Sequence, residues 1–147
     1  MSDLLNRLFT AIFESHPWHV PVTHFPIALT GAAFLFLMLA LWRRSEVLER
    51  AAFYNMALAA LMTVAASITG VRDNLVRFEG EAPYASIKIF LAVTLLILTV
   101  VLTVSRWRTA ELLWKPTTMI LYLLGFASSF LLAAVLGFLG GVILYGF

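Results

Sequence analysis

The sequence predicts an all-α fold: an integral membrane four-helix bundle preceded by a short N-terminal amphipathic interfacial helix. Three observations predict it. Of the 147 residues 62% are hydrophobic and 12% charged, and the mean hydropathy is +0.95, which is more apolar surface than a soluble domain of this length can hide. The apolar residues gather into four runs long enough to cross a bilayer. The basic residues stand at the ends of those runs, where they act as topology signals.

The first element lies between Ser2 and Glu14. Leu4, Leu8 and Ile12 fall on one helical row and Leu5, Phe9 and Phe13 on the next, with Asp3, Asn6, Arg7, Thr10 and Glu14 opposite. That pattern is an amphipathic helix too short to span and suited to lying in the membrane surface. Residues 1–15 form this element, and residues 16–147 form the four-span domain. The opening Met1-Ser2-Asp3 lacks a basic region followed at once by a short apolar core, so no cleaved signal peptide is expected.

Pro17, Pro21 and Pro26 are expected to interrupt regular helix until the chain enters the membrane. The first span reads from about 25 to 42, with Thr23 as candidate N-cap, Pro26 tolerated in the first turn, and Arg43-Arg44 as the stop. The second reads from about 51 to 71, ending at Arg72-Asp73, and the third from about 86 to 104, ending at Arg106-Trp107-Arg108. The fourth, about 117 to 147, is roughly 45 Å long as a helix, so it must tilt or project beyond a core of roughly 30 Å. Trp18, Tyr84, Trp107, Trp114 and Tyr145 fall near span ends, as an aromatic belt does.

Four spans put both termini on one side. The first and third connections carry Arg43, Arg44, Arg50, Arg106, Arg108 and Lys115, and the other face carries Arg7, Arg72, Arg77 and Lys88. That bias favours termini on the non-cytoplasmic side.

Helices in lipid associate through small residues that let backbones approach. Gly125, Ser129, Ala133, Gly137 and Gly141 recur every four residues in the fourth span, and Asn55, Ala59, Thr63 and Ser67 make a comparable stripe in the second. Both faces are expected to lie against other helices or a partner.

Composition also excludes chemistry. Without cysteine there is no disulfide, thiolate zinc site, iron–sulfur cluster or covalently attached haem, leaving histidine and carboxylate as metal ligands. The pI near 9.3 accompanies a formal net charge of only +2, so no nucleic-acid partner is implied. There is no phosphate-cradling glycine loop, zincin motif or nucleophile elbow, and enzymatic activity by this chain is not expected. No span carries a charge near its middle, which disfavours transport.

What remains is concentrated at one membrane face. All three histidines lie within His16-Pro17-Trp18-His19-Val20-Pro21-Val22-Thr23-His24, and the same face receives Gly70, Arg72 and Asp73, Lys88, and Tyr145. Polar groups at that depth need partners, and His24 with Asp73 or Arg72 with Asp73 are the natural pairs. The cluster reads either as a hydrogen-bonded anchor for the entry of helix one or as a ligand site. His24, His19 and His16 are the candidate cofactor contacts; Arg72, Asp73 and Lys88 are structural or partner contacts.

The run His16-Pro17 through His24-Phe25-Pro26-Ile27-Ala28-Leu29, the Gly70-x-x-Asp73 ending span two, and Gly137-Phe138-Leu139-Gly140-Gly141 with Tyr145 resemble the bacterial four-helix membrane family called domain of unknown function 2231. Members often occur near or fused to c-type cytochromes, so the resemblance implies a bacterial inner membrane and a redox setting. Many members carry a further histidine at the start of helix three, where this chain has Ala85-Ser86-Ile87-Lys88. A haem b with two imidazoles takes one from each of two facing helices. Here His19 and His24 can share one iron only if the proline-rich segment folds back, and Met56 or Met62 are the other candidate second ligands. A five-coordinate haem, a chlorophyll-type magnesium, or a site completed by a partner needs one histidine. A small-metal site would draw on His16, His19 and Asp73 or Glu14.

Two readings follow. In one the chain is an accessory subunit of a respiratory or photosynthetic membrane electron-transfer complex, contacting haem, chlorophyll or quinone through its histidine face. In the other it is a structural or assembly subunit with no cofactor of its own, docking on other membrane subunits or on a second copy.

Overall fold

The computed structural model describes residues 2–10 and 18–145. Of the described residues 88% are helical and none is in a strand. The chain order is α1 (Ser2–Thr10), α2 (His19–Arg43), α3 (Glu46–Phe78), α4 (Ala85–Arg108) and α5 (Pro116–Tyr145). The four helices α2 to α5 are long and apolar enough to cross a membrane. In α1 the side chains of Leu4, Leu5 and Phe9 are exposed, forming the apolar face that a bilayer surface would cover.

The bundle is sequential and up–down. Helix α2 packs on α3 and α5, α4 packs on the same two, and the pairs α2/α4 and α3/α5 stand diagonally across the axis. The dry core runs through Ala33, Leu37 and Ala40 of α2, Ala52, Met56 and Ala59 of α3, Leu102 of α4 and Phe126 of α5. Outward positions such as Leu35, Leu61, Phe90, Ile97, Leu121 and Leu131 are exposed, which is the inversion expected where lipid is the solvent. Leu113, in the connection between α4 and α5, is fully buried in the core and closes that end. We call this the arginine end, and the opposite one the histidine end.

Each helix runs past its apolar span. Helix α2 opens at His19, ahead of the span read from Phe25, and both Pro21 and Pro26 lie inside it. The expectation that these prolines break the helix is corrected here. Pro21 falls in the first turn, where a missing N–H has no helical acceptor to lose. Pro26 is buried inside the helix, and its missing N–H leaves the Val22 carbonyl without its helical donor. The Thr30 hydroxyl donates to the Pro26 carbonyl at 2.7 Å. Thr23 is also not the cap: the N-cap is Trp18, with no side-chain cap, and Thr23 donates from inside the helix to the Val20 carbonyl at 2.8 Å. Helix α3 begins with a Ser45 cap that accepts from the Leu48 N–H and continues past Asp73 to Phe78. Its polar last turns stay helical above the apolar run, and Glu79 ends them in the left-handed region at φ 53°.

The small stripe of α5 faces its neighbours over most of its length. A Cβ on Gly125 would lie 2.6 Å from Leu102 Cδ2, and one on Gly137 would lie 2.5 Å from Ile27 Cδ1. Ser129 and Ala133 are buried between these points. Among the described residues nothing lies within 4 Å of a would-be Cβ on Gly141. In α3 Ala59 and Thr63 are buried, while Asn55, Thr63 and Ser67 each donate to the carbonyl four residues back.

Each spanning helix places a small hydroxyl residue in the interior: Thr30, Thr63, Thr99 and Ser129, exposed by 0, 3, 0 and 0% respectively. Their levels follow from the contacts that set the register. Thr30 and Thr63 are each about ten residues inward of the His19–Asp73 contact at one end, and Thr99 and Ser129 are each about one turn inward of the Leu102–Gly125 contact nearer the other. The packing of Phe130 against Gly31 brings the two pairs to one level within about a turn. Each hydroxyl donates to the carbonyl four residues back in its own helix, at 2.7 to 2.9 Å, so the layer is polar yet satisfied.

Candidate functional site

At the histidine end the first turn of α2 is held by α3. The four opening N–H groups of a helix lack intrahelical acceptors. The His19 N–H donates to Asp73 Oδ2 at 3.0 Å, so a carboxylate on α3 caps α2 and faces the positive end of its dipole. Arg72 Nη1 donates to Asp73 Oδ1 at 3.0 Å, giving the buried carboxylate a partner on each oxygen. Arg72 and Asp73 therefore pair as read from sequence, but His19, not His24, reaches Asp73.

The two described histidines have different surroundings. His19 Nδ1 lies 2.9 Å from the Ala66 carbonyl and 3.4 Å from Thr69 Oγ1. A carbonyl only accepts, so Nδ1 carries the proton and Nε2 is the lone-pair nitrogen. The Cε1–Nδ1 edge of the ring abuts α3 at Gly70, where an added Cβ would come within 2.8 Å of Cε1. His19 is thus a strut in the α2–α3 seam.

His24 is exposed. Its Nδ1 lies 2.7 Å from the Val20 carbonyl, which fixes the same tautomer and leaves Nε2 as an exposed base. Ile27, one turn further in on the same flank, packs over Gly137, which sets His24 at the level of Gly140 and Gly141. His16 lies outside the described residues, as does Glu14, and with them the proposed small-metal set. Among the described residues no three His, Cys, Asp or Glu side chains converge as metal ligands.

The sequence alternatives for a second haem ligand are separated from His24. His19 and His24 stand five positions apart on one continuous helix, with the His19 ring turned into α3. Met56 is buried in the core about 25 Å along α3 from Asp73, and Met62 about 16 Å from it. Neither reaches the histidine end. Lys88, in the first turns of α4, is half-buried, with Nζ 3.9 Å from where a Gly140 Cβ would be and within electrostatic reach of His19. His19, Asp73, Lys88 and Gly140 thus bring all four helices to one mouth, with Tyr145 exposed at its rim.

A second polar cluster at the arginine end is absent from the sequence reading. Glu49 of α3, 1% exposed, accepts from both Arg106 Nε and Arg106 Nη2 of α4, the latter at 2.6 Å. The guanidinium also stacks 5.5 Å from the Phe53 ring centroid. Arg106 appears in sequence as a stop signal only. The available clue was Glu49's place on the inward row Glu49, Ala52, Met56, Thr63, Ala66, Asp73, where a carboxylate requires a cation.

The chain's relationships can now be placed beside this geometry. A family model described as "Predicted membrane protein (DUF2231)" matches residues 15–147. The chain belongs to that family. The match covers the whole bundle and both polar clusters and leaves out α1. No curated protein and no solved structure matches the chain. For a family of membrane proteins, the single-sided hydrogen bonding of His24 is the feature with chemical consequence, because an imidazole fixed through Nδ1 offers Nε2 as an oriented ligand or acceptor.

Proposed function

We propose that this chain is a small accessory subunit of a membrane electron-transfer complex, respiratory or photosynthetic, and that it presents His24 to a ring cofactor or quinone shared with a partner. The observation that carries this reading is the exposed, tautomer-fixed His24 beside an α5 segment with no side chains at Gly140 and Gly141. His24 would hold a haem or chlorophyll-type ring together with a residue of a partner subunit or of a second copy of this chain. Such a ring would supply one-electron chemistry, and this chain a ligand held at a fixed depth by the α2–α3 seam. In this reading Arg43, Arg44 and Arg108 face the cytoplasm of a bacterial inner membrane and both termini lie outside.

The second reading, a structural or assembly subunit, draws support from His19, whose ring is taken up by packing. An absorption spectrum of the purified protein, alone and after addition of haem or chlorophyll, separates the two. A Soret or chlorin band abolished by His24→Ala supports the first. A colourless protein that takes up neither ring leaves the second.

A further inference from the structure

The strongest unassigned feature is at the arginine end. Tyr122 of α5 is 3% exposed, and its buried hydroxyl has no hydrogen-bond partner among the described residues. Helical side chains lean toward the N-terminus of their own helix, which directs this ring toward the end closed by Leu113. The ring is fixed there by an edge contact with Phe126, centroids 4.8 Å apart at 61°. Tyr122 shares one buried cluster with Ala52, one turn from Glu49 on α3, and with Leu102, one turn before Arg106 on α4. The phenol thus lies at the level of the ion pair, on the helix diagonal to α3, across an axis that the α3 and α5 backbones do not bridge.

A buried phenol O–H usually finds an acceptor for its proton. Glu49 has lone pairs left after Arg106 takes one direction on each oxygen. A group too far for a direct bond, beside a carboxylate with spare acceptor capacity, is the setting in which buried water is retained. We propose that Tyr122, Glu49 and Arg106 enclose an internal site for a single water molecule, which accepts from the Tyr122 hydroxyl and donates to the Glu49 carboxylate. The water ties α5 to the α3–α4 ion pair and makes the arginine end a three-helix polar clamp. No covalent or redox step is involved, and the site is independent of the role given to His24.

The sign of one substitution tests it. If the water is there, Tyr122→Phe removes the donor that holds it, strands a Glu49 lone pair, and lowers the folded-to-unfolded ratio in mild detergent roughly fivefold to tenfold. If the hydroxyl is instead an orphan in an apolar pocket, the same change leaves stability unchanged or raises it, and the proposal fails. Water-edited solid-state NMR of the full chain in liposomes gives a second reading that does not depend on stability. Magnetisation passing early from water to the Tyr122 ring, with the neighbouring Phe126 ring dark, supports the site; equal darkness at both rings overturns it.

Discussion

Gly70 carries no side chain where the His19 ring rests, and this one position couples the backbone of α3 to the capping of α2. In Gly70→Ala the new methyl meets a rigid ring, not the tip of a flexible chain, so the ring must leave the Ala66 carbonyl or the helices must part. We expect a loss of about 1–3 kcal/mol, the usual cost of overpacking, measured by denaturation in detergent. Glu49→Ala is expected to cost more, about 3–5 kcal/mol, because it leaves Arg106 buried without its counter-charge. Replacing both partners with Leu and Met should recover most of that loss, since a well-packed apolar pair avoids the desolvation that the ions suffer. A double variant no better than Glu49→Ala would show that the pair does more than neutralise itself. These residues also mark where sequence stops being informative. Histidine clustering was visible because it is local, and the Arg72–Asp73 pair because its members are adjacent. Glu49 and Arg106 are 57 residues apart, and nothing local distinguishes a paired arginine from a topology signal. The different fates of His19 and His24 depend on which face of α2 meets α3, and that is set by packing.

For whole elements, the four-residue repeat of α5 was legible because a small stripe in lipid has one principal use, close approach of another helix. Its extent was not. The stripe engages Leu102 of α4 at Gly125 and Ile27 of α2 at Gly137, with no neighbour among the described residues at Gly141. The two glycines four residues apart are therefore expected to respond differently. Gly137→Leu drives a branched side chain into the α2–α5 contact and should lower the detergent unfolding midpoint strongly. Gly141→Leu should change it little, and because it adds a side chain at the level of His24, it should impair any ring binding that His24 supports. Equal destabilisation by both would place α5 against a neighbour along its full length. The helix starts were misjudged for a related reason: proline at Pro21 and Pro26 and the polar turns after Val71 predict breaks from local propensity, whereas Asp73 capping α2 from across the interface makes the helix continue.

Across the whole molecule, the two polar clusters lie about 36 Å apart along α3, from Glu49 to Asp73, a little more than a hydrocarbon core of about 30 Å. The bundle is thus closed at one end by Leu113 and the Glu49–Arg106 pair, while at the other His19, Asp73, Lys88 and Gly140 bring the four helices together. Fold class and span number were legible from apolar run length alone, because lipid obliges each run to satisfy its backbone as a helix. The proposed orientation rests on the basic residues of the arginine end, Arg43, Arg44 and Arg108 among them. A reporter active only outside the cytoplasm, fused after Phe147, should then be active on the native chain. Changing Arg43, Arg44 and Arg108 together to glutamine should reduce that activity and produce a mixed population, while the same change at Arg72 and Arg77 of the histidine end should leave it intact. A native fusion active only with a cytoplasmic reporter would reverse the proposed orientation and put the His24 face on the cytoplasmic side, where a partner from the outside could not reach it.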